Sequence, residues 1–291
     1  MLLATTVAVP PSFSATAPDV AWDLTIGGSD DDTGCWVEVT SDSNLIVCGS
    51  TTSFGAGNKD VYVAKVDMLG DTLWTRTYGD TGSDCGLSIV EMGSGGYLIG
   101  GFSSSFGTGH LDAYLSVTNA LGDTIWMRTF GGSEDDIFYC ARETSQGQII
   151  ACGHTYSNPP YDSADVYVVM TTPNGTLKWK RTYGAWSDDR GMEIIETTDG
   201  GFAIAGYSRY VPLADVAQVY VLRLDSGGDT LWTRRYGGAG SDYGSAIRQT
   251  PDGGFLIGGS TTSMGAGNYD MYLIRTDANG DTLWTRTYGD V

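Results

Sequence analysis

Three features of the sequence predict an all-β fold. A segment built around a tryptophan recurs every 52 or 53 residues along the 291-residue chain. Glycine is abundant, with 42 residues against 8 prolines, which is typical of short strands joined by tight turns. Helix-length periodicity of apolar residues is absent from the sequence. Because a repeat of this size cannot bury a core alone, successive copies must pack on one another.

The repeats can be counted by their tryptophans. The C-terminal copy reads Gly280-Asp281-Thr282-Leu283-Trp284 and continues Thr285-Arg286-Thr287-Tyr288-Gly289. Five full copies and one weaker N-terminal copy are present, at Trp74, Trp126, Trp179, Trp232, Trp284 and, in the weaker copy, Trp22. A fixed repeat favours one domain over residues 19–291 instead of two independent domains.

Each repeat divides into four strand-like segments. In the copy after Trp74, residues 87–92 alternate in polarity, the turn Ser94-Gly95-Gly96 leads to a second strand at 97–101, and a glycine-rich loop leads to a third at 112–115. The strand that holds Trp126 is the fourth. We therefore predict a β-propeller of four-stranded antiparallel blades, with five complete blades and one extra N-terminal strand at residues 20–26. The blades form either a closed toroid or an arc of a larger one, and a truncated gene would explain the surplus strand.

Two recurring patterns indicate how blades pack. A glycine occupies the same place in every second strand, at Gly49, Gly101, Gly153, Gly206 and Gly259. Glycine inside a strand predicts close approach by another backbone or by a large ring, for which the tryptophan of an adjacent blade is the first choice. In the fourth strand Trp74, Arg76 and Tyr78 alternate onto one face, and stacking of the guanidinium on these rings would join neighbouring blades.

The segment from Asp277 to Trp284 resembles the tryptophan-docking element of quinoprotein-like (PQQ-type) propellers, in which an Asp, a Gly and a Trp close the outer hairpin of each blade. The wider repeat, with DGGFLIGGS, GAGNYDMYLIRTD and GDTLW, is similar to secreted bacterial tandem-repeat proteins, and the resemblance covers residues 20–290. It implies an exported or surface protein. Some members carry endoglucanase or lectin-like labels, which do not transfer with the fold.

The net charge and the N-terminal residues limit the partners and the cellular location that can be expected for this protein. The formal charge of -19 argues against nucleic acid and anionic membranes and favours cations or basic partners. No later segment has the ~20 apolar residues of a membrane span. Residues 1–18 resemble a secretory leader with a small-residue ending, although no Lys or Arg precedes the apolar run. We therefore expect an extracellular or cell-surface protein.

Cysteines and histidines give little evidence of catalysis. Cys140 and Cys152 flank a hairpin turn symmetrically, so they form either a disulfide or a pair of small buried thiols. His110 and His154 have no paired setting that indicates a metal site or a triad.

Nucleotide and dinucleotide fingerprints are absent, and no residues form a quinone floor, so no cofactor is expected apart from calcium. The turn after Asp277 suits a tight hairpin better than a calcium loop.

An aspartate stands ten residues after each of the first five tryptophans, just before an innermost strand. These residues are Asp32, Asp84, Asp136, Asp189 and Asp242. They are predicted to ring one mouth of the central channel, where they would attract cations and hold a calcium or sodium ion. The alternative is that each carboxylate caps backbone amides in its own connector or pairs with an arginine of the repeat.

A candidate binding face lies where the repeats differ most. Connectors between blades and loops between second and third strands share one face, and these loops diverge in blades three and four. The divergence predicts that three aromatic residues cluster beside three charged ones, namely Tyr161, Trp186, Tyr210, Asp188, Asp189 and Arg190. Exposed aromatic rings beside polar groups suit a sugar or a peptide. The alternative is neutral drift, with Trp186 filling a local gap.

Three classes of function remain open from the sequence. The favoured one is a non-enzymatic exported propeller that acts as a structural or protein-binding scaffold. The alternatives are a glycan-binding module and a polysaccharide hydrolase of the endoglucanase type. A hydrolase needs an acid and a base that their surroundings distinguish, whereas the acids here recur in every blade, which favours a scaffold.

Overall fold

A computed structural model of the protein describes residues 22–158, 163–184, 188–209 and 216–289. The leader at residues 1–18 lies outside these ranges. Within them all regular secondary structure is strand, and the strands form five four-stranded antiparallel sheets, each in sequence order. The prediction of an all-β propeller with five complete blades is thereby confirmed. A helix capable of crossing a bilayer is absent from the described residues.

Each blade runs from its innermost to its outermost strand. Blade one comprises β1 (Asp32–Val39), β2 (Leu45–Thr51), β3 (Asp60–Val66) and β4 (Thr72–Tyr78). Blade two comprises β5 (Asp84–Glu91), β6 (Tyr97–Ser103), β7 (Asp112–Thr118) and β8 (Thr124–Phe130). Blade three comprises β9 (Asp136–Glu143), β10 (Ile149–Thr155), β11 (Asp165–Thr171) and β12 (Leu177–Tyr183). Blade four comprises β13 (Asp188–Glu196), β14 (Phe202–Arg209), β15 (Ala217–Leu224) and β16 (Thr230–Tyr236). Blade five comprises β17 (Asp242–Gln249), β18 (Phe255–Thr261), β19 (Asp270–Thr276) and β20 (Thr282–Tyr288).

The hydrophobic core is divided among the four interfaces between consecutive blades. The middle strands are buried on both faces, so that one face of each sheet packs on the preceding blade and the other on the following blade. In the first interface Ile46 and Val63 of blade one meet Ile89 and Tyr114 of blade two. Three further clusters repeat this arrangement between blades two and three, three and four, and four and five.

The tryptophans of blades one to four each dock on a turn of the following blade. The Trp74 ring lies against Gly122, which has a φ of 81° in the hairpin between β7 and β8, and Tyr78 donates a 2.6 Å hydrogen bond to the Gly122 carbonyl. Arg76 stacks on Trp74 with its guanidinium carbon 5.6 Å from the ring centroid. The predicted stripe of Trp, Arg and Tyr is therefore confirmed as a contact between blades.

Aspartate side chains stabilise these outer hairpins by accepting hydrogen bonds from backbone N–H groups of the same turn. The Oδ1 atom of Asp277 accepts the backbone N–H groups of Asn279 and Asp281, both at 2.9 Å, and Asp225 does the same for Gly227 and Asp229. The interpretation as a tight hairpin, with the first Asp accepting local amides, fits these contacts.

The recurring glycine of the second strand is approached by another backbone, which was the first of the two predicted alternatives, and not by a ring. A Cβ atom on Gly101 would overlap the backbone carbonyl of Cys85 in the innermost strand of the same blade, and the other four glycines meet the equivalent carbonyl. The tryptophan ring of an adjacent blade is therefore the wrong partner at this position. The carbonyl approaches because every innermost strand has a β-bulge beside this glycine, at Cys35, Leu87, Tyr139, Met192 and Ser245.

Cys140 and Cys152 face each other across β9 and β10, as the symmetry of their hairpin indicates. Both are buried free thiols, and their sulfurs point toward blade four, at the carbonyls of Ile194 and Gly191. The structure therefore has the small buried thiols and not the disulfide.

The five blades form an open arc. Val37 on the first face of blade one is 60% exposed, whereas its counterpart in blade two, Ile89, is fully buried. On the last face of blade five Met271 is 56% exposed, whereas Val219 at the same position in blade four is 1% exposed. Among the described residues β1 and β17 do not pack as neighbouring inner strands do elsewhere.

The extra N-terminal segment keeps the docking contact without joining a sheet. The Trp22 ring lies on Gly70, and its indole N–H donates a 3.0 Å hydrogen bond to the Met68 carbonyl, just as Trp126 donates to Pro173. Residues 22–28 pair with no strand among the described residues, so the extra N-terminal strand predicted at residues 20–26 is wrong for its described part, residues 22–26.

Candidate binding site

The connectors and the loops between second and third strands share one face, as predicted. Asn58 in the loop of blade one donates a 3.0 Å hydrogen bond to the carbonyl of Gly82 in the connector that follows. Thr108 in the loop of blade two makes the same kind of contact with Gly132, at 3.1 Å. Side chains at the ends of the inner two strands therefore converge on this face.

Four side chains of blades three and four meet around a single guanidinium there. Arg190 in β13 donates from Nη1 to the hydroxyl of Tyr139, at 3.3 Å, and from Nη2 to the hydroxyl of Tyr156, at 3.0 Å. Its Nε lies 3.2 Å from Oδ1 of Asp188. The guanidinium carbon also lies 5.9 Å from the centroid of the Tyr207 ring. Together with His154, these residues form what we call the Arg190 cluster.

Strand geometry explains why these residues converge. Asp188 and Arg190 are two residues apart in β13, so both point to the same face, and Arg190 is paired with Tyr207 of β14. Tyr139 is the bulge residue of β9, and Tyr156 follows the end of β10. The bulge turns the Tyr139 side chain from the ladder toward the neighbouring blade.

His154 is the buried member of the cluster. It is 2% exposed, stacks on Tyr139 with ring centroids 5.5 Å apart, and meets the edge of Tyr156 at 5.4 Å. Burial, reinforced by the positive charge of Arg190, lowers the pKa of His154 to about 3. The imidazole is therefore neutral at physiological pH and cannot donate a proton as a general acid there.

An aromatic row extends from the cluster across blade five. Tyr207 packs edge-on against Tyr243 of β17, with centroids 4.9 Å apart, and Tyr243 approaches Tyr269 at 6.4 Å. Tyr269 is 62% exposed. Burial raises the pKa of Tyr207 to about 12, so its hydroxyl stays protonated and remains a hydrogen-bond donor.

The six predicted binding residues fall into three groups: three lie outside the described residues, two belong to the cluster and one points away from it. Tyr161, Trp186 and Tyr210 lie outside the described residues, so their predicted clustering stays a prediction. Asp188 and Arg190 belong to the cluster. Asp189 is fully buried and points to the opposite face of β13, where its carboxylate lies beside Gly184.

The five recurring aspartates were predicted to precede the innermost strands, but each is the first or second residue of its strand. Asp84, Asp136, Asp189 and Asp242 are at most 1% exposed, so these four carboxylates do not line an open channel mouth. Four of the five aspartates accept the N–H of the residue four positions earlier, at 2.7–3.2 Å. These are the contacts of Asp32, Asp84, Asp136 and Asp242 with Gly28, Asp80, Gly132 and Gly238.

Each of these four carboxylates also accepts a serine hydroxyl from the loop after the second strand, at 2.5–2.9 Å, from Ser53, Ser105, Ser157 and Ser263 respectively. The contacts match the amide-capping alternative. Among the described residues no three His, Cys, Asp or Glu side chains are grouped to hold a metal ion. Calcium binding stays a prediction.

Sequence reasoning missed Tyr139, His154, Tyr156 and Tyr207, although a signal for them exists. One residue after the recurring glycine, blades one and five have Ser50 and Ser260, whereas blades three and four have His154 and Tyr207. Comparison of equivalent positions within the strands, and not only within the loops, would have singled out His154 and Tyr207.

Comparisons with known proteins agree with the fold. No family model matches the chain. An alignment 155 positions long, which covers 45% of this chain, is 28% identical to the regulatory protein FlaEY of Caulobacter vibrioides and spans 16% of that protein. The WD40 domain of Neurospora crassa Pan2 superposes with a TM-score of 0.57 at 10% identity, over 88% of this chain and 66% of that one. A puromycin hydrolase superposes with a TM-score of 0.53 at 14% identity, over 90% of this chain and 41% of that one. At these identities the solved structures establish the propeller fold alone.

Proposed function

We propose that this chain is an exported, non-enzymatic scaffold that binds a segment of a partner protein at the Arg190 cluster. One observation carries the proposal. Side chains that differ from the repeat pattern in blades three and four converge on one guanidinium at the connector face. The contacts that hold blades together recur from copy to copy. Side chains that depart from the repeat are therefore not required for blade packing, and we assign them to binding.

The chemistry of the cluster suits binding better than proton transfer. The tyrosine rings offer flat apolar area with few rotatable bonds, and their hydroxyls offer hydrogen bonds. The one imidazole is neutral and buried. The strongly negative chain would draw a basic segment of a partner toward this face. The resemblance of one stretch to a regulatory protein supports the same class of function.

A glycan is the second candidate, and the row of Tyr207, Tyr243 and Tyr269 favours it. Three aromatic rings in succession, the last of them exposed, form a surface on which sugar rings could stack. A polysaccharide hydrolase has no comparable observation in its favour.

Substitution at one repeat position tests the site. The protein is screened against a peptide display library and a glycan array, and a reducing-sugar assay is run on soluble polysaccharides. Tyr207→Ser restores the residue type that blades one and five carry, and it should weaken binding to the selected ligands at least tenfold. The matched control is Phe102→Ser, which changes the same position in blade two and should leave affinity unchanged.

The outcomes distinguish the classes of function. Peptide ligands that depend on Tyr207 support the protein-binding scaffold, and glycans that depend on it select the second candidate. Release of reducing sugar by the wild type would overturn the non-enzymatic proposal. Equal loss of affinity in both variants, with both folded by circular dichroism, would place the ligand elsewhere.

A further inference from the structure

Two cysteines meet at the interface between blades one and two. Cys35 is the bulge residue of β1, and Cys85 directly follows the connector aspartate in β5. A hydrogen bond between the two thiols lowers the pKa of Cys35 and raises the pKa of Cys85. Of the five cysteines, Cys35 is the one that is exposed, whereas Cys85 is buried and 6% exposed.

The repeat supplies independent geometric support for this contact. In blades three and four, the bulge residue Tyr139 touches Arg190, which is the residue after the connector aspartate of the next blade. Cys35 and Cys85 occupy the same two positions at the interface between blades one and two. The fold thus brings these two positions together, and in blades one and two both are cysteines.

We propose that Cys35 and Cys85 form a thiol–disulfide exchange site that cross-links blades one and two when a small disulfide oxidant of the glutathione class reaches it. Among the residues that the structure describes, blade one packs on a neighbouring blade through one of its two faces, so a covalent link at its innermost strand would hold it to the rest of the arc.

The exchange proceeds in two balanced steps. The Cys35 thiolate attacks one sulfur of the oxidant, which breaks the oxidant's S–S bond, forms a mixed disulfide and releases one thiolate. Cys85 then loses its proton and attacks the Cys35 sulfur, which forms the interblade disulfide and releases the second thiolate. The two protein thiols lose two electrons, and the oxidant gains them as two thiols.

A hydrogen bond and a nearby positive charge favour the thiolate form of Cys35 that the first step requires. The hydrogen bond from Cys85, followed by the positive charge of Lys59, lowers the pKa of Cys35 to about 7 against the opposing effect of burial. A thiol of this pKa that is open to solvent is well suited to attack a disulfide near neutral pH. Burial raises the pKa of Cys48, so this third thiol nearby stays protonated.

Treatment with oxidised glutathione tests the site. The reduced full-length protein is incubated at pH 7.5, quenched with acid, digested without reductant and mapped by mass spectrometry. We expect a cross-linked peptide pair containing Cys35 and Cys85, loss of two hydrogen atoms from the intact mass, and a rise in Tm of roughly 4–10 °C that a reductant reverses.

Two variants and a built-in control make the test specific. Cys85→Ser should leave Cys35 as a stable glutathione adduct, and Cys35→Ser should leave Cys85 unmodified because no exposed thiol starts the exchange. Cys140 and Cys152, which face each other inside blade three, should remain reduced throughout. A lasting glutathione adduct on wild-type Cys35, or a bridge from Cys35 to Cys48, would overturn the proposal.

Discussion

The buried carboxylate of Glu193 in blade four accepts a 2.7 Å hydrogen bond from Arg142 of blade three. Its other oxygen accepts from Arg248 of blade five at 2.6 Å and from the backbone N–H of Ile247 at 2.8 Å. One side chain thus joins the innermost strands of three consecutive blades. Charge-assisted bonds of this kind add a specific electrostatic link to the apolar interfaces.

Loss of this link should weaken the arc. Glu193→Gln keeps the shape but removes the charge that two arginines share, and we expect it to lower the free energy of unfolding by about 1–3 kcal/mol. The value is at the modest end for a buried ion pair because Arg248 is 61% exposed. Urea unfolding followed by tryptophan fluorescence measures the loss.

The control for Glu193 is on the same strand. Glu196 accepts a 2.6 Å hydrogen bond from the backbone N–H of Ser145 and pairs with no arginine among the described residues. Because glutamine can still accept that bond, Glu196→Gln should cost less than about 1 kcal/mol. Equal losses in the two variants would show that the shared charge of Glu193 is not what stabilises the interface.

Two adjacent glycines in β18 should respond differently to the same substitution. A Cβ atom on Gly259 would overlap the Tyr243 carbonyl, whereas one on Gly258 would make only an ordinary 3.7 Å contact with Leu273. Gly259→Ala should therefore destabilise the protein by more than about 2 kcal/mol, and Gly258→Ala by less than about 1 kcal/mol. Chemical unfolding of both variants decides the matter. A tolerated Gly259→Ala would mean that the carbonyl contact at the bulge is not tight.

The open arc predicts that identical tryptophans differ in importance. Trp74 packs on the Gly122 turn of the next blade, whereas Trp284 has no following blade among the described residues and is 40% exposed. We expect Trp74→Ala to cost about 2–4 kcal/mol and Trp284→Ala less than about 1 kcal/mol. A comparable loss for Trp284→Ala, measured at low protein concentration, would argue that the last face of blade five is covered.

The fold was predictable because every copy of the repeat carries the same local sequence signals. Turn residues, alternation and the docking tryptophan all recur, so blade number and strand order follow from the sequence. The bulges could not be predicted from the sequence. A bulge depends on how two strands pair, and no particular residue type marks the side chain that it moves out of the ladder. Tyr139 and Cys35 occupy that position, so both the Arg190 cluster and the cysteine pair required the structure.

The recurring aspartates show a second limit of sequence reasoning. Their spacing identified a conspicuous set of acids, but the same spacing fits a cation site and a capped connector equally well. Which one forms depends on whether the carboxylates face solvent or their own backbone. Asp136 is fully buried and bound to Gly132 and Ser157, which no count of residues from the tryptophan could reveal.

His154 should make stability depend on pH in a defined direction. Its pKa is about 3 in the folded protein because of burial and Arg190, against about 6.5 in an unfolded chain. Below pH 6.5 the unfolded chain therefore binds a proton that the folded chain excludes, and this group's contribution to stability is lost as pH falls from about 6.5 to about 3, at up to about 1.4 kcal/mol per pH unit. His154→Phe introduces the residue that blade two has at this position, Phe102, and removes the titrating group. Urea unfolding between pH 7 and pH 4.5 should show a shallower decline for the variant than for the wild type. Parallel pH profiles would show that the pKa of His154 is the same in the folded and the unfolded chain, contrary to its burial against Tyr139.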